Sequence, residues 1–169
     1  MSSQDADADA TVRVLRDALC SESTPLAKRF RALFSLKHVA SQQPPTPQAV
    51  PAIEAIAAAF ASPSALLKHE LAYCLGQTRN FASVPFLRAV LENLQEDPMV
   101  RHESAEALGA LGDKGSLDLL KRMLADDSVE VRETCEIAID RIQWEHGADK
   151  NSEELKKRYH HNYSYHNTC

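Results

Sequence analysis

A chain of 169 residues that is 44 % hydrophobic, only 6 % aromatic and carries five glycines is bounded to one domain or one repeat array, with a core of Leu, Ala, Val and Ile and a composition that favours helix. A net charge of −5 gives no basic footprint for phosphate, which argues against nucleic acid as a partner and is compatible with a cationic one. No segment approaches the roughly 20 apolar residues of a membrane span, so no membrane partner is expected either.

In chain order, residues 1–10 are rich in Ser, Asp and Ala and are expected to be a flexible N-terminus, neither signal nor transit peptide. Val12, Leu15 and Leu19 give Thr11–Leu19 a helical spacing. Ser23-Thr24-Pro25 supplies a cap and a first-turn proline for a second helix, Leu26 to Val39, with Phe30, Leu33, Phe34 and Leu36 on its apolar side. Ser41 to Pro47 is a linker, and Val50 to Phe60 is a third helix. Ser62-Pro63-Ser64 breaks it and caps a fourth. Ser83 caps a helix through Leu94 that buries Val84, Leu87, Val90 and Leu91. Asp97-Pro98 starts the next, which stops at Gly112. Ser116 to Leu124 and a last helix capped at Asp127-Ser128, running to about Glu145, complete eight helices in four hairpins. The expected fold is all-α, a HEAT-like α-solenoid over residues 11–146, followed by a polar tail over 147–169 expected to be disordered.

The fourth and sixth helices are near-copies. Leu67-Lys68-His69-Glu70-Leu71-Ala72-Tyr73-Cys74-Leu75-Gly76 matches Val100-Arg101-His102-Glu103-Ser104-Ala105-Glu106-Ala107-Leu108-Gly109 at an offset of 33 residues. A helical period in the thirties marks a stacked repeat. The four second helices align without a gap on Leu36, Leu75, Leu108 and Ile139, with Arg29, Lys68, Arg101 and Arg132 seven residues earlier. Those columns predict an apolar ladder inside and a basic one outside. Asp97 to Arg101 and Asp127 to Arg132 carry versions of the Asp-x-x-Val-Arg start that HEAT second helices often show.

After the basic residue, repeat one has Phe30-Arg31 and repeat four Glu133-Thr134, whereas repeats two and three have His69-Glu70 and His102-Glu103. Packing therefore does not require His-Glu at that place. Equivalent histidines on helices packed about 8–10 Å apart point the same way and can converge on one ion. Adjacent residues diverge by about 100° around a helix, so one glutamate swings into the gap between the helices and the other away. Two His and one carboxylate with open positions is the ligand set of non-haem iron that activates oxygen. Glu103 is the favoured ligand; Glu70 is left to bridge, to hold a ligand from behind or to meet a cationic substrate.

Other features carry less. Cysteines at 20, 74, 135 and 169 include no Cys-x-x-Cys, and three fall at apolar helix positions, as reduced thiols do; a cytoplasmic location is expected. The tail from Tyr159 to Cys169 holds three His and a Cys and is read as polar terminus rather than metal site. Trp144 is placed in the core of the last repeat, and His38 near a helix C-terminus is read as structural.

The two His-Glu helices, with Arg29-Phe30-Arg31-Ala32-Leu33-Phe34 and Val131-Arg132-Glu133-Thr134-Cys135, resemble the deoxyhypusine hydroxylases over roughly Val12 to Trp144. The resemblance implies a HEAT-repeat di-iron monooxygenase that uses O2 and Fe2+ to hydroxylate the deoxyhypusine side chain of translation initiation factor 5A. His69, Glu70, His102 and Glu103 match the family's metal-holding motifs. Family members have two four-repeat halves with the site between them, and this chain is expected to hold only the first. It is then expected to bind one ion or none alone, and to act, if at all, paired with another half, such as its own copy across a two-fold axis. The rival from another class is a non-enzymatic HEAT-repeat scaffold.

Overall fold

The computed structural model describes residues 3–147. Among them are eight α-helices and no strand: α1 (Ser3–Cys20), α2 (Leu26–Ala40), α3 (Ala49–Ala58), α4 (Ala65–Gly76), α5 (Val84–Glu92), α6 (Pro98–Leu111), α7 (Leu117–Arg122) and α8 (Val129–His146). They pair as the hairpins α1/α2, α3/α4, α5/α6 and α7/α8. The second helices stack, α4 against α6 and α6 against α8. No described helix is long and apolar enough to cross a membrane. The expected tail over 147–169 lies, from residue 148 on, outside the described residues.

Where the helices start follows from local chemistry. Ser64 accepts from the Leu67 amide at 3.2 Å, Asp97 from Met99 at 2.9 Å and Ser128 from Val131 at 3.3 Å, each satisfying an amide that a first turn leaves without a carbonyl. Gly112 takes the left-handed conformation, φ 69°, at the end of α6. One expected cap makes no cap hydrogen bond: the Ser83 hydroxyl is buried against Thr78 Oγ1 at 2.8 Å. Ser116 closes a short 3-10 turn that Asp113 caps, and its hydroxyl donates to Asp113 at 2.6 Å. Pro25 is the N-cap of α2 rather than its first helical residue.

Of the flexible N-terminus expected over 1–10, residues 3–10 are helical, and residues 1 and 2 lie outside the described residues. Three alanines in residues 3–10 cost a helix little, and Asp5 in the first turn suits its dipole. Apolar periodicity could not reveal this stretch, because its first buried residue is Val12.

The core is a continuous file of Leu, Ile, Val and Ala, including Leu19, Leu33, Leu36, Ile53, Leu75, Leu87, Leu108 and Leu120, all fully buried. Each such Leu or Ile contributes roughly 1.5–3 kcal/mol over an exposed position. In the last repeat Ala138 and Ile142 take the core places, and Ile139 is half-buried. Val84 is also half-buried and Phe34 is exposed. The Leu-Gly step has a steric reason. A Cβ on Gly76 would lie 2.7 Å from the Ala107 Cβ, and one on Gly109 would lie 2.9 Å from the Ala138 Cβ. Glycine there sets how closely α4, α6 and α8 approach.

The basic column is not outside. Arg29 and Arg101 are 3 % and 4 % exposed. Each sends Nε to a carbonyl ten residues back, at the end of the preceding helix: Arg29 to Leu19 at 2.8 Å, Arg101 to Leu91 at 3.0 Å. The rest of each guanidinium grips a carboxylate, Glu22 or Asp126. The fork satisfies a helix C-terminal carbonyl and an ion pair together, so the arginine closes its hairpin. Lys68 instead pairs with Glu96 at 2.5 Å, and Arg132 bonds the Asp126 and Asp127 carbonyls.

Candidate metal centre

His69 on α4 and His102 and Glu103 on α6 come together where the second helices lie side by side. Each offers one ligand atom, and the three atoms lie within 4.8 Å of one another. Two of them are already in contact, His69 Nε2 and Glu103 Oε2 at 3.1 Å. The Glu103 side chain is 9 % exposed and that of His69 32 %, so a buried carboxylate sits behind imidazoles that solvent can reach. Glu70 is half-buried and is not part of this group. The divergence of neighbouring helix positions is the cause: the turn that carries Glu103 toward α4 carries Glu70 away from α6.

The His69 ring is held above its ordinary pKa, first by its hydrogen bond to Glu103, against the opposing effect of burial; the Glu103, Glu70 and Glu106 charges act in the same upward direction as that bond. Negative potential therefore concentrates at the cluster. That favours any cation there, a proton or a metal.

The donor set fits a divalent transition metal. Nitrogen and carboxylate ligands bind at about 2.0–2.2 Å, so two ligands at right angles on one ion lie about 3 Å apart. The 3.1 Å between His69 and Glu103 meets that, and the His102 nitrogen lies within 4.8 Å of both. Two imidazoles and a carboxylate on one face leave the opposite positions for other ligands.

The register repeats once more. His69 meets Glu103, the glutamate of the next repeat. His102 meets Thr134, which fills that same slot in repeat four, with Nδ1 and Oγ1 2.5 Å apart. Thr134 is a contact that the sequence does not announce: Glu133-Thr134 stands where repeats two and three have His-Glu, and its hydroxyl falls opposite His102 in the repeat register. Beside it, Met99, His102, Glu106, Glu130, Glu133 and Ile137 line a groove of about 240 Å³ between α6 and α8.

Elsewhere, Cys74 and Cys135 are buried, and desolvation pushes both thiols up to about 12. They are packing residues, as their helix positions predict. Cys20 is half-buried, and burial raises its pKa as well. His38 is exposed in the last turn of α2.

A family model described as HEAT repeats matches residues 51–140, the three hairpins from α3 to α8. Deoxyhypusine hydroxylase of Phaeosphaeria nodorum is 68 % identical to the chain, over 88 % of this chain and 46 % of the relative. That of Neurospora crassa is 62 % identical over the same shares. The solved structure of human deoxyhypusine hydroxylase in complex with glycerol matches with TM-score 0.76 and 42 % identity, over 83 % of this chain and 46 % of that one. The chain thus spans about half the length of the relatives it matches.

Proposed function

We propose, starting from a chain that belongs to the HEAT-repeat family and is similar to deoxyhypusine hydroxylases across most of its length, that it provides one half-site of an iron-dependent protein monooxygenase. His69, His102 and Glu103 hold Fe2+, and the observation that carries this is the convergence of their ligand atoms within 4.8 Å. Glu70 is kept for a second ion or for the substrate's charge. The substrate is the deoxyhypusine side chain of translation initiation factor 5A, and the reaction takes place in the cytoplasm.

Iron bound there supplies reduction of O2 and insertion of oxygen into a C–H bond. One oxygen atom would enter the substrate and the other leave as water, with two electrons from an external reductant and two protons from solvent. The chain's own residues do the rest. Glu103 neutralises the cation from a buried position and holds His69 toward it. Glu106, Glu130 and Glu133 put negative charge along a groove whose apolar wall includes Met99, Ile137 and Ala138. That combination suits an extended side chain with amine groups, with its methylenes on the apolar wall and its charges on the carboxylates.

Beside His102, Met99 and Ile137 are exposed large apolar side chains. A second four-repeat half, for which a second copy of this chain is one source, covers them and completes a two-iron site. The scaffold alternative gives no reason for a buried carboxylate facing two imidazoles. The test is hydroxylation of deoxyhypusine-bearing factor by the iron-loaded chain under O2 with a reductant, with the oligomeric state followed in the same sample. Product in the paired fraction alone supports the reading. Product from a strictly monomeric species contradicts the half-site, and no product in any fraction, with or without an added second half, contradicts the activity.

A further inference from the structure

Thr134 lies outside both His-Glu pairs, on a different helix from either, yet its hydroxyl meets a ring nitrogen of His102. It is buried, and α8 anchors it through Val131, Cys135 and Ala138, all in the core. The hydroxyl is therefore fixed from behind. A neutral imidazole has one N–H and one lone pair, so whatever fixes one nitrogen decides what the other can do.

The geometry points to Thr134 as a positioning residue: its hydroxyl accepts the His102 Nδ1–H, sets the plane of the ring and leaves the Nε2 lone pair for the ion shared with His69 and Glu103. The inference rests on the iron reading above. It also explains why the fourth repeat departs from the pattern. The slot after the basic residue's neighbour holds a carboxylate in repeat three, where it faces His69 and belongs to the ligand set. In repeat four the slot faces His102, and a hydroxyl there orients the ring without adding charge or a competing ligand. Glu130, on the same groove wall, is engaged by the Ser128 hydroxyl at 2.6 Å. The two histidines are thus held in different ways, one by a ligand and one by an uncharged side chain. Partners of this kind behind a metal-bound histidine tune affinity by about 10–100-fold.

The experiment compares the unaltered chain with Thr134→Ser, which keeps the hydroxyl, and Thr134→Val, which keeps the shape without it. Each is titrated anaerobically with Fe2+, and the His102 ring nitrogens are read by 15N NMR in the metal-free proteins. The unaltered chain and Thr134→Ser should carry the proton on Nδ1 and bind iron alike. Thr134→Val should lose that tautomer and bind about 10–100-fold more weakly, with its metal-free unfolding curve little changed. Should the Val variant fail to fold, the tautomer in the other two decides: a proton on Nε2 overturns the proposal. Equal iron affinity in the Val variant overturns it, and so does a Ser variant as weak as Val. An unaltered chain that takes no iron overturns the iron reading along with it, whereas one that takes iron indifferently to Val overturns this proposal alone.

Discussion

The Glu103 carboxylate lies 3.1 Å from His69 Nε2, across the gap between α4 and α6. A buried acceptor whose partner is removed keeps its desolvation cost and loses the bond that offset it. His69→Ala should therefore destabilise the metal-free chain by about 1–3 kcal/mol. His69→Ala with Glu103→Leu should recover much of that, which urea unfolding of the single and double variants measures.

The same contact sets a pH dependence. His69 is raised above its ordinary value, first by the Glu103 hydrogen bond, while the unfolded ring titrates near ~6.5. The contribution of the charged pair is complete below that unfolded value and is lost as pH rises through the folded one. Iron needs the neutral ring, so binding must expel the proton. Fe2+ affinity should climb across the His69 titration and then level off, with proton release in calorimetry shrinking over the same interval. Affinity flat with pH would contradict this.

Arg101 and Asp126 form the most enclosed ion pair among the described residues, with side chains 4 % and 5 % exposed. Arg101→Met leaves Asp126 without its counter-charge and frees the Leu91 carbonyl, and should cost about 3–5 kcal/mol. The Arg101 hydrogen bonds hold the Asp126 carboxyl below its ordinary value. The pair's contribution is thus present above the unfolded pKa of ~3.9 and lost as pH falls through the lower folded value. Asp126→Asn should flatten the acid limb of a stability–pH curve measured by urea unfolding.

Gly109 faces Ala138 with no room for a methyl group: an added Cβ would sit 2.9 Å from the Ala138 Cβ and 3.0 Å from its Cα. Gly109→Ala should cost about 1–3 kcal/mol through overpacking, even though alanine favours a helix. Since α8 must move, the His102–Thr134 contact should lengthen as well. Thermal unfolding reads the first effect and His102 NMR the second.

Much of this architecture was legible from spacing. The near-identity of the α4 and α6 sequences marks the repeat, and the step of about 100° between neighbouring residues places one of the two glutamates in the gap, with Glu103 favoured over Glu70. Polar burial was not legible. The columns that place Arg29 and Arg101 in register say nothing of a carbonyl ten residues back or of a carboxylate such as Asp126 waiting for them. A charged residue at the edge of an apolar stripe reads as surface, and only the loop path shows otherwise. The α1 start was hidden for a different reason, because Ala-Asp helix that buries nothing leaves no apolar period. Thr134 lay in the alignment, but a hydroxyl carries no metal signature until the ring that it touches is known.

Iron analysis bears most directly on the whole reading. The chain would be purified with Fe2+ under anaerobic conditions beside His69→Ala/His102→Ala, and bound iron counted per chain in each. The account predicts close to one iron per chain, or per half of a pair, and almost none in the double variant. Equal iron in the two proteins, or none in either across the pH interval where His69 is neutral, would contradict it.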